Sequence, residues 1–254
     1  MKEPSTIRIF SRPEDVIRHA ARTLKDLCDA KAEGRISVAL SGGSTPSQLF
    51  RFLAEDFARD IPWQRLEIFF GDERCVAPDH PDSNFRMASI ELLSRAPIPP
   101  AQIHRMPADA LDLDGAARAY EDTIVDLVPA GALGEPAFDL IWLGLGEDGH
   151  TASLFPGTSA LTVRDRLVVP NDVPQLKTRR LTFTFQLLTG ARRIQFLVLG
   201  PRKAEMVRAI LSPAAEDATR TSLPAAWVHA RDGVVEWLLD SEAASGLDEP
   251  EPGS

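Results

Sequence analysis

The sequence predicts a doubly wound, mostly parallel α/β sheet of the Rossmann-like kind, with helices on both faces. Short apolar segments alternate with amphipathic segments along most of the chain, as strands and helices do in such folds. The segment "ISVAL" is apolar on both faces, which is typical of a strand that helices cover. The 254 residues, 44% of them hydrophobic, suffice for a substantial core. We expect one α/β domain over residues 1–240, followed by an acidic tail over residues 241–254.

The first half of the chain predicts three strands and two helices. "TIRIF" alternates in polarity and reads as the first strand. Apolar residues then recur at helical spacing to about Glu33, with Pro13 in the first turn and Gly34 as a natural stop. "ISVAL" predicts the second strand, and "SQLFRFLAEDF" predicts the next helix. "LEIFFGDER" predicts a third strand that ends in charged residues.

The second half continues the alternation. "FDLIWLGLGEDGH" predicts a fourth strand, again with polar residues at its end, and "RRLTFTFQLL" begins as an alternating strand. "IQFLVLG" and "KAEMVRAIL" predict another strand and helix. "AAWVHARDGVVEWLLD" predicts a final pair of strands joined by a turn at Asp232-Gly233.

Composition excludes several classes of function. The net charge is −9, which does not favour a nucleic-acid partner, although four of the carboxylates lie in the tail after Asp240. An anionic substrate would therefore need only a local positive pocket.

No apolar run is long enough to cross a bilayer, so we expect no membrane association. Two cysteines, Cys28 and Cys75, make a disulfide framework unexpected and indicate a cytoplasmic protein. The tail predicts disorder, and both a monomer and a homodimer stay open.

Three predicted strands end in polar, glycine-containing segments. These segments are Ser41–Pro46, Gly71–Arg74 and Gly144–His150. Ligands of open α/β sheets bind beyond the carboxyl ends of the strands, and parallel strands bring those ends to one edge. The three segments are therefore expected to meet in one binding site.

The first segment, "SGGSTP", predicts an anion-binding loop. Gly42 and Gly43 allow a ligand to approach the backbone closely. Thr45 is a suitable N-cap with Pro46 as the first helical residue, so amide groups at a helix start would face the anion. Ser44 and Thr45 add hydroxyl donors. The motif is neither a phosphate-binding P-loop nor the dinucleotide fingerprint, and a plain strand–helix turn with a good cap is the alternative interpretation.

The second segment, "FFGDER", offers a cation for catalysis. Arg74 would stabilise negative charge that develops on a substrate oxygen. Asp72 would orient Arg74 or accept a hydrogen bond from a substrate hydroxyl, and Asn84 would lie near the pocket. The alternative is an ion-pair network at the edge of the sheet.

The third segment places His150 after an acidic, glycine-flanked turn. An imidazole with an ordinary pKa of about 6.5 is largely neutral at cytoplasmic pH and can accept a proton. Asp148, two residues earlier, would orient it, although Asp72 is a second candidate for that role. A polar loop histidine without catalytic function is the alternative.

Together, "ALSGGSTP", "FFGDERCVAPDHPDSN" and "LGLGEDGHTASLFPGT" resemble the 6-phosphogluconolactonase family, part of the glucosamine-6-phosphate isomerase/6-phosphogluconolactonase superfamily. The resemblance continues through "RRLTFTF", "LGPRKAEMV" and "LPAAWV", and does not include the tail. It implies hydrolysis of 6-phospho-D-glucono-1,5-lactone to 6-phosphogluconate in the oxidative pentose phosphate pathway. It also implies a small-molecule sugar-phosphate lactone as substrate and no metal or organic cofactor.

The resemblance also implies roles for individual residues. His150 corresponds to the general base, Arg74 to the catalytic arginine, and Asp72 to the same strand-end motif. The positions that correspond to the phosphate site are Gly42, Gly43, Ser44, Thr45, Arg180 and Lys203. Because Arg179 is adjacent to Arg180, the choice between these two arginines stays open.

Two other functions compete with the lactonase. A sugar-phosphate isomerase or deaminase of the same superfamily has Asp-Glu-Tyr at the strand end, whereas this chain has "DER". Such an isomerase also needs a carboxylate base to move a proton between carbons. A non-catalytic sugar-phosphate sensor would usually carry a DNA-binding module, and no basic helix-turn-helix segment is evident.

Overall fold

The computed structural model describes residues 5–132, 134–212 and 217–247. It contains nine strands within these residues: β1 (Thr6–Phe10), β2 (Ile36–Leu40), β3 (Leu66–Phe70), β4 (Asp72–Arg74), β5 (Leu140–Leu143), β6 (Val168–Val173), β7 (Thr178–Phe183), β8 (Arg193–Val198) and β9 (Val234–Asp240). The α-helices of the same residues are α1 (Pro13–Ala30), α2 (Ser44–Asp56), α3 (Asn84–Ala88), α4 (Leu113–Leu127), α5 (Phe185–Thr189), α6 (Ala204–Leu211) and α7 (Asp217–Ser222).

Six strands form a central sheet in the order β1-β9-β8-β5-β2-β3, and every neighbouring pair is parallel. Strands β2, β3 and β5 are buried along their whole length, because helices flank the sheet. The predicted doubly wound α/β fold is therefore confirmed. From β2 the chain moves outward to β3 and then returns to the other side of β2 as β5. This reversal makes the gap between β2 and β5 the topological switch point, where open α/β sheets bind ligands.

A second, smaller sheet was not predicted. It is antiparallel and has the order β4-β7-β6. The charged residues 72–74 were predicted as the end of the third strand, but they leave the central sheet after Gly71 and form β4 of this second sheet. Strand β6 and helix α4 also had no counterpart in the sequence prediction. The second sheet carries Asp72 and Arg74 over the carboxyl ends of the central strands.

The predicted C-terminal pair of strands is wrong. Residues Pro224–Trp227 form a 3₁₀ turn, and β9 alone follows, parallel to β8 and β1. Gly233 serves close packing and not a hairpin turn, since a Cβ atom there would lie 2.4 Å from the carbonyl oxygen of Ala191. The segment thus completes the parallel sheet instead of closing a hairpin.

The packed part of the chain extends beyond Asp240, into the predicted tail. Ala243 is fully buried, its amide donates to Asp240 Oδ1 over 2.8 Å, and Leu247 packs against the core. Small apolar side chains allow this first part of the acidic segment to pack while Glu242 stays exposed. Residues 241–247 therefore differ from the expected disorder, and the rest of the predicted tail, residues 248–254, lies outside the described residues. In the described ranges, the helices are too short or too polar for a transmembrane span.

Candidate active site

A cavity of about 190 Å³ lies at the switch point of the central sheet. Its walls come from the three segments that were expected to meet and from the loop after β8. The lining residues are Ser41, Gly42, Gly43, Asp72, Arg74, Gly144, Leu145, Gly146, His150, Ala152 and Lys203. The expected convergence of strand ends is therefore present in the structure.

Strand β4 presents alternate side chains to two different environments. Asp72 and Arg74 line the cavity, whereas Glu73 between them points to the other side, as side chains of a strand must. Glu73 accepts hydrogen bonds from the amides of Asn84 and Phe85, at 2.8 and 2.7 Å. Burial raises the pKa of Glu73, although these amide bonds oppose the shift. Glu73 thus anchors the start of α3, and only its two neighbours in β4 are available to a ligand.

Buried hydrogen bonds fix the carboxylate of Asp72. Ser153 Oγ donates to Asp72 Oδ2 over 2.6 Å, and Asn84 Nδ2 donates to the backbone oxygen of Asp72 over 2.9 Å and to its Oδ1 over 3.3 Å. Asn171 in turn donates to the backbone oxygen of Ser153 over 2.8 Å. Asn84 does not line the cavity itself, and acts on it through Asp72. Such a network holds a carboxylate in one orientation.

The glycine loop after β2 forms one wall of the cavity. Helix α2 begins at Ser44 with Gly43 as its N-cap, so the prediction of Thr45 as N-cap is wrong by two positions. Ser44 and Thr45 belong to the first turn, whose amides have no intrahelical acceptor. They follow Gly42 and Gly43 but do not line the cavity themselves. A Cβ atom at Gly42 would lie 1.9 Å from Asn84 Oδ1, so this position requires glycine.

The imidazole of His150 is held from two sides. Asp148 Oδ1 lies 2.5 Å from His150 Nδ1, and the ring of Phe155 stacks on the imidazole with centroids 4.0 Å apart. A carboxylate accepts hydrogen bonds, so Nδ1 carries the proton and Nε2 is the free basic nitrogen. A Cβ atom at Gly146 would lie 2.0 Å from Nδ1, which explains why a glycine is needed there.

Asp148, and not Asp72, is the carboxylate that contacts the histidine. Burial acts to raise the pKa of Asp148, but the hydrogen bond and the charge of His150 outweigh it and lower this pKa. Asp148 is therefore ionised near neutral pH, and its carboxylate can accept the hydrogen bond from Nδ1 of His150.

Two further cations stand near the cavity. Lys203, in the 3₁₀ turn after β8, lines it, and burial lowers the pKa of its ammonium group. Arg180 pairs with Arg74 across β7 and β4, which puts both residues on one face of the small sheet. Burial and then the charge of Arg74 lower the pKa of Arg180. Arg179 is on the opposite face of β7 and contacts Asp172 over 2.8 Å.

Several residues of the site carried no usable sequence signal. Ser153 and Phe155 act through side chains placed by the fold, although both belong to the segment around His150. Ala152 lines the cavity with a positive φ of 47°, a conformation that would not be predicted for an alanine. Ser41 is 4% exposed, and its hydroxyl has no hydrogen-bond partner among the described residues. The unpaired hydroxyl of Ser41 is visible only in the structure, so the sequence could not have identified it.

The described residues contain no group of three or more His, Cys, Asp or Glu side chains that would hold a metal ion. The polar groups of the cavity are instead an imidazole, a guanidinium, an ammonium, a carboxylate, a hydroxyl and loop amides. Together they can bind an anion at one end and move a proton at the other.

The parallel sheet and the cavity at its switch point define a Rossmann-like α/β enzyme. Residues 11–237 match the sequence model of the family described as "Glucosamine-6-phosphate isomerases/6-phosphogluconolactonase", and the chain belongs to that family.

Named relatives agree with this assignment. A protein of Synechocystis sp. named 6-phosphogluconolactonase is 45% identical over 215 residues, which cover 84% of this chain and 85% of that protein. The crystal structure of 6-phosphogluconolactonase from Leishmania guyanensis matches with a TM-score of 0.83 at 27% identity, covering 97% of this chain and 100% of that one. The corresponding enzyme of Trypanosoma brucei gives a TM-score of 0.82 at 29% identity, with coverage of 98% and 100%.

Proposed function

We propose that this chain hydrolyses 6-phospho-D-glucono-1,5-lactone to 6-phosphogluconate in the oxidative pentose phosphate pathway. The observation that carries the proposal is the cavity in which His150, Arg74 and the glycine loop share one space. The names of the relatives support the choice of substrate. The resemblance to the family implies a reaction without a metal or organic cofactor. Because a lactone carbonyl is already electrophilic, no covalent nucleophile is required.

In the proposed mechanism, His150 is the general base. Its Nε2 takes a proton from a water molecule as the water oxygen attacks C1 of the lactone. Asp148 holds the proton on Nδ1 and stabilises the imidazolium that forms, and Phe155 fixes the plane of the ring. The intermediate then collapses, the bond between C1 and the ring oxygen breaks, and the imidazolium returns the proton to that oxygen.

Arg74 and Asp72 act at the carbonyl end of the substrate. Negative charge develops on the carbonyl oxygen during attack, and the Arg74 guanidinium stabilises it. Asp72, held by Ser153 and Asn84, accepts a hydrogen bond from a ring hydroxyl. Because both side chains project from the same face of β4, a single strand positions them relative to each other.

The phosphate group is bound at the other end of the cavity. The amides of Gly42, Gly43 and the first turn of α2 supply hydrogen bonds, and the positive end of the helix dipole adds to them. Lys203 and Arg180 supply positive charge. Ser44 and Thr45, whose side chains do not line the cavity, contribute the amides of the first helical turn. Phosphate binding energy then serves to hold C1 opposite His150.

The proposal includes a cytoplasmic setting and a small-molecule substrate, without a nucleic-acid partner. Both cysteines, Cys28 and Cys75, are free thiols, which agrees with a reducing compartment. The net charge of −9 disfavours nucleic acid. Immunoblotting of cell fractions tests the compartment, and recovery outside the cytoplasm would contradict it.

The test of the reaction is a coupled assay with freshly generated lactone. Glucose-6-phosphate dehydrogenase supplies the lactone, and 6-phosphogluconate dehydrogenase reports the product through formation of NADPH. The enzyme-free rate must be subtracted, since the lactone opens by itself. We expect acceleration proportional to the amount of enzyme, and a rate equal to the enzyme-free rate would refute the proposal.

A sugar-phosphate isomerase or deaminase is the second candidate. The observation that favours it is the buried carboxylate of Asp72 in the cavity wall, because moving a proton between carbons needs such a base. Incubation with glucosamine 6-phosphate distinguishes the two reactions. Release of ammonia would support the deaminase, and the lactonase account predicts none.

A further inference from the structure

A second cavity, about 350 Å³ in volume, lies apart from the candidate active site. It shares no lining residue with the catalytic cavity. Two of its residues, Glu135 and Arg231, precede β5 and β9, so it lies toward the amino ends of these strands. The catalytic cavity lies beyond the carboxyl ends of the strands. The volume of the second cavity is within the range of small-molecule pockets.

One wall of this second cavity is aromatic. The rings of Phe185 and Trp227 have centroids 5.4 Å apart and are tilted by 38°. Trp227 is half-buried, and its indole nitrogen donates to the backbone oxygen of Thr221 over 3.0 Å, which fixes the ring. Such a wall provides a stacking surface for a planar group.

The charges around the second cavity favour an anion. Arg231 is neutralised by Glu135, whose Oε2 lies 3.1 Å from Nη1. Arg164 also lines the cavity, and its Nη1 donates to the backbone oxygens of Leu161 and Val163, each over 2.8 Å. Among the described residues, no carboxylate forms an ion pair with Arg164. Its charge is therefore available to a ligand.

Gln186 helps to hold Glu135 beside Arg231. Its Nε2 donates to Glu135 Oε1 over 3.2 Å, while Glu135 Oε2 lies 3.1 Å from Arg231 Nη1. Glu135 is therefore occupied by these two partners, and Arg164 is the cation of the cavity that can bind a ligand.

We propose that this second cavity binds a small phosphorylated molecule with a planar ring, of the chemistry of a nucleoside monophosphate. The ring stacks on Trp227, and the phosphate binds Arg164. The proposal is independent of the lactonase reaction, because it rests on residues that the reaction does not use.

The second cavity is linked through the backbone to the catalytic loop, which is the segment Gly144–His150 after β5. The amide of Ala225 donates to the backbone oxygen of Gly149 over 3.0 Å, and Leu223 packs directly against Gly149. Gly149 precedes His150, and Ala225 and Trp227 belong to one 3₁₀ turn. A ligand that contacts Trp227 therefore reaches an element bonded to the catalytic loop.

Titration with AMP, followed by tryptophan fluorescence, tests the proposal. The other three tryptophans, Trp63, Trp142 and Trp237, are at most 3% exposed, so the response reports on Trp227. We expect a saturable change, with adenosine and inorganic phosphate each binding more weakly than AMP. Calorimetry gives the affinity independently of the optical signal. A linear response without saturation in both measurements would overturn the proposal.

Matched variants locate the bound nucleotide. Arg164→Met should weaken AMP binding by about tenfold or more, because a charge-assisted hydrogen bond is lost. Arg179→Met is the control, an exposed arginine that lines neither cavity, and should leave the affinity unchanged. Binding that persists in Arg164→Met and disappears in Lys203→Met would place AMP in the catalytic cavity and contradict the proposal.

Discussion

His150 owes its geometry to three neighbours that are close in sequence. Asp148 fixes its tautomer, Phe155 fixes the plane of its ring, and Gly146 leaves room for the pair. The sequence was enough to make Asp148 a candidate partner of His150, because the two are separated by one residue in a tight turn. It was not enough to choose between Asp148 and Asp72, since that choice depends on where β4 leaves the central sheet.

Replacing Asp148 by asparagine should expose the link between this pair and stability. The net effect of His150 is to lower the pKa of Asp148 despite its burial, so the ionised carboxylate stabilises the fold. This contribution is present above the unfolded-state pKa of about 4 and is lost as pH falls through the lowered folded-state pKa. Urea denaturation of wild type and Asp148→Asn should differ at pH 6 and converge toward pH 3. A difference that stays constant down to pH 3 would contradict this account.

At the scale of elements, the antiparallel register of β4 and β7 decides which arginine faces the site. Arg180 lies opposite Arg74, whereas Arg179 faces Asp172 on the other side. The sequence could not make this choice, because two adjacent arginines before an alternating strand fit either register. One residue of slip exchanges the two faces of a strand.

Arg180→Met and Arg179→Met form a matched pair of variants. Arg180→Met should raise the KM for the lactone about tenfold or more, since it removes a charge from the face that is proposed to bind phosphate. Arg179→Met should leave KM unchanged. The coupled lactone assay at a series of substrate concentrations measures both, and an effect confined to Arg179→Met would contradict the assigned faces.

The contact between the loop after β2 and helix α3 also belongs to the scale of elements. Gly42→Ala places a methyl group where Asn84 packs, and should cost about 1–3 kcal/mol of stability. Asn84→Ala alone loses the hydrogen bonds to Asp72 and should be destabilising as well.

The double variant Gly42→Ala/Asn84→Ala should be more stable than the sum of the single effects predicts, because the clash is absent. Free energies of unfolding from urea titrations give the coupling. Strict additivity would mean that Gly42 and Asn84 do not depend on each other.

At the scale of the whole molecule, the pattern of apolar segments was enough to predict the central sheet and its active edge. The second sheet was missed because β4 has only three residues, too few for a periodic pattern, and β6 includes Pro170 and Asp172. The predicted hairpin at Asp232-Gly233 failed because the glycine serves packing against residue 191. Local turn chemistry cannot reveal a contact between segments about 40 residues apart.

The two cysteines report on the integrity of the whole fold. Burial raises the pKa of both Cys28 and Cys75 to about 11, against 9.0 for a free thiol. Only the thiolate reacts with iodoacetamide, so at pH 8 the native thiols should react about 100-fold more slowly than in urea. Mass spectrometry of alkylated peptides measures each rate. A native Cys75 that reacts as fast as the unfolded chain would contradict the packing described for it.

The account as a whole depends on His150 as the base that activates water. Replacing His150 by alanine should lower kcat for lactone hydrolysis by about 10²–10⁴-fold. Binding of 6-phosphogluconate, measured by calorimetry on the same variant, should persist, because the residues that are proposed to bind its phosphate group are unchanged. A folded His150→Ala protein that keeps the kcat of the wild type would show that some other group activates the water.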